Sequence, residues 1–361
     1  MVKRLLQLSC VAAVAAFAGT MTMSSSEALA QCTGTYGYTY SQCTSTQNSP
    51  GTAVVSSETV RIAVTQTAGI LSDRVSQLIS GQTQTAMNPS SRILSLGDSG
   101  NLNPQTGLGG RTGGSRIGAW IGGDYTHADF DKSVAEFHGH VWTGMAGVDF
   151  RLMNALVLGI AGGYEKQDFD TTFNRGNIEG TGWTIAPYAV LTINRMFSLD
   201  AAGGYSKLDY DMTRLDPANS ARITGSTDAS RYFATINGNG NMSIDRWRLG
   251  ARVGTLYAHE DRDSFTESNG VTTGSQKTAI GFVNAGPRLG YMIGSLEPYV
   301  RAEGRVYYND GGSDDRFDAV FAGGLRWNIT PGASFNVEGS TVQFRNDMEQ
   351  YGIGGALRVQ F

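Results

Sequence analysis

One pattern constrains this chain more than any other. From Arg116 onward, hydrophobicity repeats every two residues, segment after segment. The closing stretch YGIGGALRVQF shows it plainly. Tyr351, Ile353, Gly355, Leu357, Val359 and Phe361 form one set, and Gly352, Gly354, Ala356, Arg358 and Gln360 the other. Successive side chains of a strand point to opposite faces, so one face here is greasy and the other small or polar. The same alternation runs through Ala155 to Phe169, Arg246 to Glu260, Leu296 to Tyr308 and Arg316 to Ile329. About twelve such segments start near Arg116, His138, Ala155, Ile178, Met196, Asp228, Arg246, Gln276, Leu296, Arg316, Ala333 and Met348.

The junctions between segments alternate in length. RLMNAL, TINRMF, SIDRWR, IGSLE and ITPGAS are tight turns, and between them lie longer polar loops such as Thr213 to Thr227 and Arg262 to Ser275. A soluble sandwich has no reason to keep that order, whereas an outer-membrane barrel has short periplasmic turns and longer extracellular loops. Aromatics recur near segment ends, with Phe197, Trp247 and Trp327 beside tight turns and Tyr164, Tyr205, Tyr257 and Tyr308 toward loops. That suits two interfacial belts. The fold class expected is all-β, an antiparallel transmembrane β-barrel of about twelve strands.

The rest of the chain fits that reading. Lys3 and Arg4, an apolar run from Leu5 to Ala18 and the small-residue site Ala28-Leu29-Ala30 make residues 1–30 a secretory signal peptide, cleaved near Ala30. Its apolar run is too short for a membrane anchor. Residues 31–56 read as a short polar head. Within it Cys32 and Cys43 could pair in an oxidising compartment or stay as two free thiols. Residues 57–80 carry a helical stripe of Val60, Val64, Leu71, Val75 and Leu78, with Ser57 as N-cap and Gly81 as stop. At 1.5 Å per residue that helix would be about 36 Å long, enough to thread a barrel. Residues 81–115 read as a Gly/Ser/Asn-rich linker, and 116–361 as the barrel.

Helix, linker, twelve strands and a terminal Phe together resemble the translocator domain of a type V autotransporter. The stretches that carry the likeness include RIGAWIGGDYTHADFD, ALVLGIAGGYEKQDFDTTFNRGNIEGTGWTIAPYAVLTIN and FSLDAAGGYSKLDYD. The resemblance implies a Gram-negative outer-membrane location, a helix within the pore and a passenger carried to the surface. It also implies that Tyr351, Ile353, Leu357, Val359 and Phe361 form a signal read by the barrel-assembly machine, with periplasmic chaperones on the way. Outer-membrane lipid and lipopolysaccharide would surround a monomer. Family passengers are long, whereas only residues 31–56 precede the helix here. The cargo is then this short head, or the passenger has been lost. Some relatives release their passenger by cyclisation of an asparagine in the pore helix. No Asn lies between Ser49 and Met87, so no such cleavage is expected. The alternative function is a passive pore or a structural, adhesive outer-membrane protein.

In a barrel, Arg246, Arg248, Arg252, Glu297, Arg301, Glu303 and Arg305 would face the lumen. There they would pair with one another and with Glu58, Arg61, Asp73 and Arg74 of the helix, or solvate a narrow channel. A polar lumen offers little to the helix's apolar stripe, so either the wall carries an apolar strip or the stripe packs elsewhere. A rim enzyme would draw on Asp129, Asp131, His138, His140, Asp209, Asp211, His259 and Asp261, but loop-side acids are ordinarily solvated. His138 and His140 lack further ligands at metal-binding spacing. No catalytic activity, cofactor or metal is expected. A net charge of −4 argues against nucleic acid.

Overall fold

The architecture comes from a computed structural model, which describes residues 53–86, 117–131, 135–153, 155–216, 218–311, 315–330 and 332–360. The signal-peptide, cysteine and linker assignments, and Phe361, lie outside the described residues. One helix, α1 (Ala53–Ala86), precedes the strands β1 (Ile117–Phe130), β2 (Phe137–Met153), β3 (Leu156–Thr171), β4 (Gly176–Thr192), β5 (Phe197–Leu215), β6 (Arg222–Ile244) and β7 (Trp247–Arg262). A small hairpin follows, β8 (Phe265–Thr266) with β9 (Thr272–Thr273). Then come β10 (Gln276–Tyr291), β11 (Leu296–Asp310), β12 (Phe317–Thr330), β13 (Ala333–Gln343) and β14 (Met348–Gln360). Twelve of these strands close into an antiparallel barrel, in which β14 pairs with β1 from Gly118↔Gln360 to Phe130↔Met348.

All but one of the twelve strand starts fall within two residues of the positions that alternation alone gives. The exception is β6, which begins at Arg222 rather than near Asp228. Polar residues make 213–227 look like a loop. Yet β5 and β6 stay paired as far as Leu215↔Arg222, with inward Met212, Arg214, Ile223 and Thr227 buried between more exposed polar neighbours. The helix also departs from expectation, running from 53 to 86 rather than from 57 to 80. Gly81 does not stop it, since a glycine inside a helix costs only about 1 kcal/mol relative to alanine.

Connections of two to four residues gather at one end of the barrel (β2–β3, β4–β5, β6–β7, β10–β11, β12–β13), and connections of four to thirteen residues at the other. The outer face is apolar and exposed, with Ile121, Val148, Leu158, Ile160, Ile185, Ile236, Val253 and Val300 in its band. Toward the longer loops Tyr125, Trp142, Tyr164, Trp183, Tyr205, Tyr232 and Tyr257 face outward as a ring. Near the short turns Phe150, Phe197, Trp247, Trp327 and Phe335 do the same. No described helix is long and apolar enough to cross a membrane.

The interior is not empty. One buried cluster joins Val60, Val64, Leu71, Val75 and Leu78 of α1 to wall residues including Trp120, Met145, Val157, Tyr188, Phe233 and Phe282. A second, toward the long loops, joins Val55, Ile62 and Ala63 to Phe130, Phe137, Phe169, Tyr210 and Phe265. The lumen wall therefore carries an apolar strip, and the helical stripe packs on it.

Candidate functional site

The lumen and its helix are the part of the molecule where chemistry-bearing side chains converge. The start of α1 lies among the longer loops. Glu58 accepts from Arg345 of the β13–β14 loop at 2.5 Å, and both side chains are buried. Arg345 also lies 3.7 Å from Asp315, which accepts from the backbone N–H of Asn346 at 3.1 Å and from its Nδ2 at 2.8 Å. Burial by itself would lower the pKa of Arg345. The adjacent, hydrogen-bonded Glu58 more than offsets that, and the guanidinium titrates above its ordinary range. One turn further on, Arg61 donates to the Asp310 carbonyl at 2.7 Å and lies over the Tyr307 ring at 4.4 Å.

Midway down, Gln66 is held from three sides. Its Nε2 donates to the Val141 carbonyl at 3.1 Å and to Asp124 at 3.2 Å, while its Oε1 accepts from Thr143 at 2.7 Å. Nearer the short turns, buried Arg74 pairs with Asp149, its Nε donating at 2.9 Å. Tyr188 donates to the same carboxylate at 3.3 Å, and the Trp120 indole donates to the Tyr188 hydroxyl at 2.9 Å. Glycines open room for that aromatic pair. A Cβ on Gly147 would stand 2.6 Å from the indole nitrogen, and one on Gly159 would run into the Tyr188 ring. The helix thus descends from the long-loop end to the short-turn end, anchored at its top, middle and base.

Most of the wall charges read from the sequence face this lumen. Glu297 accepts from Arg288 at 2.6 Å and lies 3.7 Å from Arg326. Arg301 meets Glu338 at 2.6 Å, and Arg305 meets Asp318 at 2.6 Å. Arg252 donates to Asn239 at 3.0 Å and to the Ser72 carbonyl of the helix at 3.3 Å. Glu303 and half-buried Asp73 line a polar cavity of about 200 Å³ beside the helix. Arg248 sits at the short-turn end, donating to the Asp245 carbonyl at 3.1 Å. Arg246 is a correction. It is exposed in the two-residue β6–β7 turn, where left-handed Asp245 (φ 50°) reverses the chain before the inward alternation begins.

The reading missed the densest charge network. Arg231 is buried between Glu260 and Glu165, donating to each at 2.9 Å, with the Tyr210 hydroxyl 3.3 Å from its Nη2. Arg262 covers the Tyr210 ring at 4.2 Å. Arg214 meets Glu267 of the β8–β9 hairpin at 2.6 Å. The inward parity of Arg231, shared with Phe233, was a usable signal. Nothing in the loop sequence announced Glu267.

The rim residues do not converge. His127–Asp129 (3.1 Å), His138–Asp170 (3.7 Å) and His259–Asp261 (3.3 Å) are separate pairs. They share the outward parity of Tyr125, Trp142, Tyr164 and Tyr257, as do Asp209 and Asp211 that of Tyr205, whereas His140 stacks on Tyr125. Asp131 is exposed just past β1. Among the described residues no three His, Cys, Asp or Glu side chains are placed to hold a metal. On β14, Tyr351, Ile353 and Leu357 face outward, and Val359 is partly buried.

Compared with known protein families, residues 119–342 match the autotransporter beta-domain. The chain belongs to the autotransporter beta-domain family. It is therefore an outer-membrane β-barrel of autotransporter type. Among solved structures, the translocator domain of the autotransporter NalP from Neisseria meningitidis matches with TM-score 0.60 at 12% identity, covering 68% of this chain and 89% of that one. The beta domain of the Bordetella autotransporter BrkA matches with TM-score 0.60 at 14% identity over 68% and 100%. The transport unit of AIDA-I from Escherichia coli matches with TM-score 0.55 at 15% identity over 75% and 96%. At such identities the likeness speaks for the fold. No curated protein matches by sequence. In this autotransporter beta-domain the longer loops mark the extracellular end and the short turns the periplasmic end.

Proposed function

We propose that this autotransporter beta-domain carries the segment preceding its helix through the barrel and holds it at the cell surface. One observation carries the reading, the direction of α1. Its start is tied to loop residues Asp310 and Arg345, and its lower half to Asp149 near the β2–β3 turn. Residues preceding Ala53 thus join the structure at the extracellular mouth, while β1 begins at the periplasmic end. That arrangement supports passage of the preceding segment through the ring that the chain's own strands form. The outward alternation of β14 supports its role as the assembly signal, with lipid and lipopolysaccharide against the apolar band and a monomer as the working unit. No catalytic step is assigned to the lumen or the rim.

The test is protease shaving of intact cells bearing an epitope tag just after Gln31. Loss of the tag with the barrel left intact is the expected result. A tag cleaved only after the outer membrane is opened would overturn the reading in favour of a structural barrel whose head stays in the periplasm.

A further inference from the structure

The β13–β14 loop is built in an unusual way. Phe344 (φ 66°) and Asp347 (φ 54°) both adopt the left-handed conformation, costly for non-glycine residues, within a four-residue connection. The twist sends successive side chains to opposite sides of the wall. Phe344 turns outward, 68% exposed, onto Phe317 (6.1 Å between centroids) and Phe321 (6.4 Å). Arg345 turns inward, 1% exposed, onto Glu58 and Asp315. The neighbouring β11–β12 loop meets it there. Gly311, also left-handed (φ 66°), lies so close to Ser57 that a Cβ on it would stand 3.2 Å from the serine Cβ.

We propose that Arg345 is a latch: by bridging Glu58 and Asp315 it clips two extracellular loops around the second turn of the pore helix and shuts the mouth there once the barrel has closed. The timing follows from the chain. Glu58 and Arg345 are 287 residues apart, so the two meet only once the helix is seated beside the β13–β14 hairpin. Until then Glu58 faces Arg61 of its own helix at 3.7 Å but not the loop. Afterwards, release would break a buried ion pair, which folded proteins strongly resist. The strained backbone on either side of Arg345 persists because the ion pair inside and the Phe cluster outside hold it.

The proposal rests on the translocator reading only for which side the latch faces. Its test uses the full chain in the outer membrane, with Cys32 and Cys43 replaced by Ser and Thr59→Cys as reporter. Thr59 is 3% exposed behind the latch. A membrane-impermeant maleimide should leave this protein unlabelled on intact cells. Arg345→Gln and Glu58→Gln should each speed labelling about a hundredfold, the scale of losing a buried charge partner. Arg345→Lys, which keeps the charge, should stay largely protected. Heat-modifiable gel mobility reports whether each barrel is folded. Equal protection in the two Gln variants, or ready labelling of the parent, would overturn the latch. So would failure of both Gln variants to fold, since the pair would then serve assembly rather than seating. If labelling differs among variants only after the outer membrane is opened, the latch stands and the orientation fails.

Discussion

At the scale of single residues, the lumen wall follows a parity rule. Once one inward residue of a strand is known, every second neighbour is inward. That is why Arg252, Glu297, Arg301, Glu303 and Arg305 could be placed from sequence, and why Arg246, one step into a turn, could not. Pairing lies beyond parity. Arg231 finds Glu165 on β3 and Glu260 on β7, partners fixed by ring closure and strand tilt rather than by spacing. Arg231→Met would take the shared cation from two buried carboxylates, leaving Glu260 with Arg262 at 3.5 Å and Glu165 with the Gln167 amide. Breaking a buried ion pair costs about 3–5 kcal/mol. A loss of that size is expected in equilibrium urea unfolding in lipid vesicles. Adding Glu165→Gln and Glu260→Gln to the same chain should recover much of it, since an uncharged, well-packed cluster carries no desolvation debt.

At the scale of elements, strands were legible and the helix was legible in kind but not in extent. Alternation is imposed on each strand by lipid on one side and packed lumen on the other, so it survives in the sequence. The helix is buried nearly all round, and Ser57, Glu58, Thr59, Gln66 and Arg74 are as hidden as Val60 and Leu71. A one-sided stripe therefore understates its contacts. The β8–β9 hairpin was invisible because four paired residues leave no period to read, although Phe265 and Glu267 fasten it to the inner wall. The helix also supplies the principal stopper. Deleting residues 53–86 should raise single-channel conductance in planar bilayers severalfold, since the seated helix fills the lumen and a polar cavity of about 200 Å³ lies beside it. Unchanged conductance would mean that the loops and the Arg231 network seal the lumen without it.

At the scale of the whole molecule, closure decides everything else. The ring closes where β1 meets β14, and small residues meet at the middle of that seam, with Gly122 opposite Ala356 and Gly123 opposite Gly355. Asp124 faces Gly354 there, and a Cβ on Gly354 would come within 2.6 Å of its carboxylate. Gly354→Val should therefore hinder closure, seen as a reduced fraction of the heat-modifiable folded form, whereas the same change at Gly339, whose Cβ would find only a backbone oxygen at 3.9 Å, should be tolerated. The strand count, the order of short and long connections and the presence of a helix were all readable before any coordinates. That the helix runs from the long-loop end to the short-turn end was not, because polarity inside a ring is set by contacts hundreds of residues apart.

The barrel wall is not level. From the outward ring at Tyr205, β5 climbs ten residues further to Leu215 with β6 beside it, about 33 Å of strand. Past outward Phe321, β12 has only four more strand residues, ending at Phe317. The helix start is fastened on that lower flank, against Asp310, Gly311 and Arg345. The opening is accordingly a slanted spout with a tall back. On the translocator reading proposed above, a segment leaving by it would emerge beside the short flank and away from the tall one.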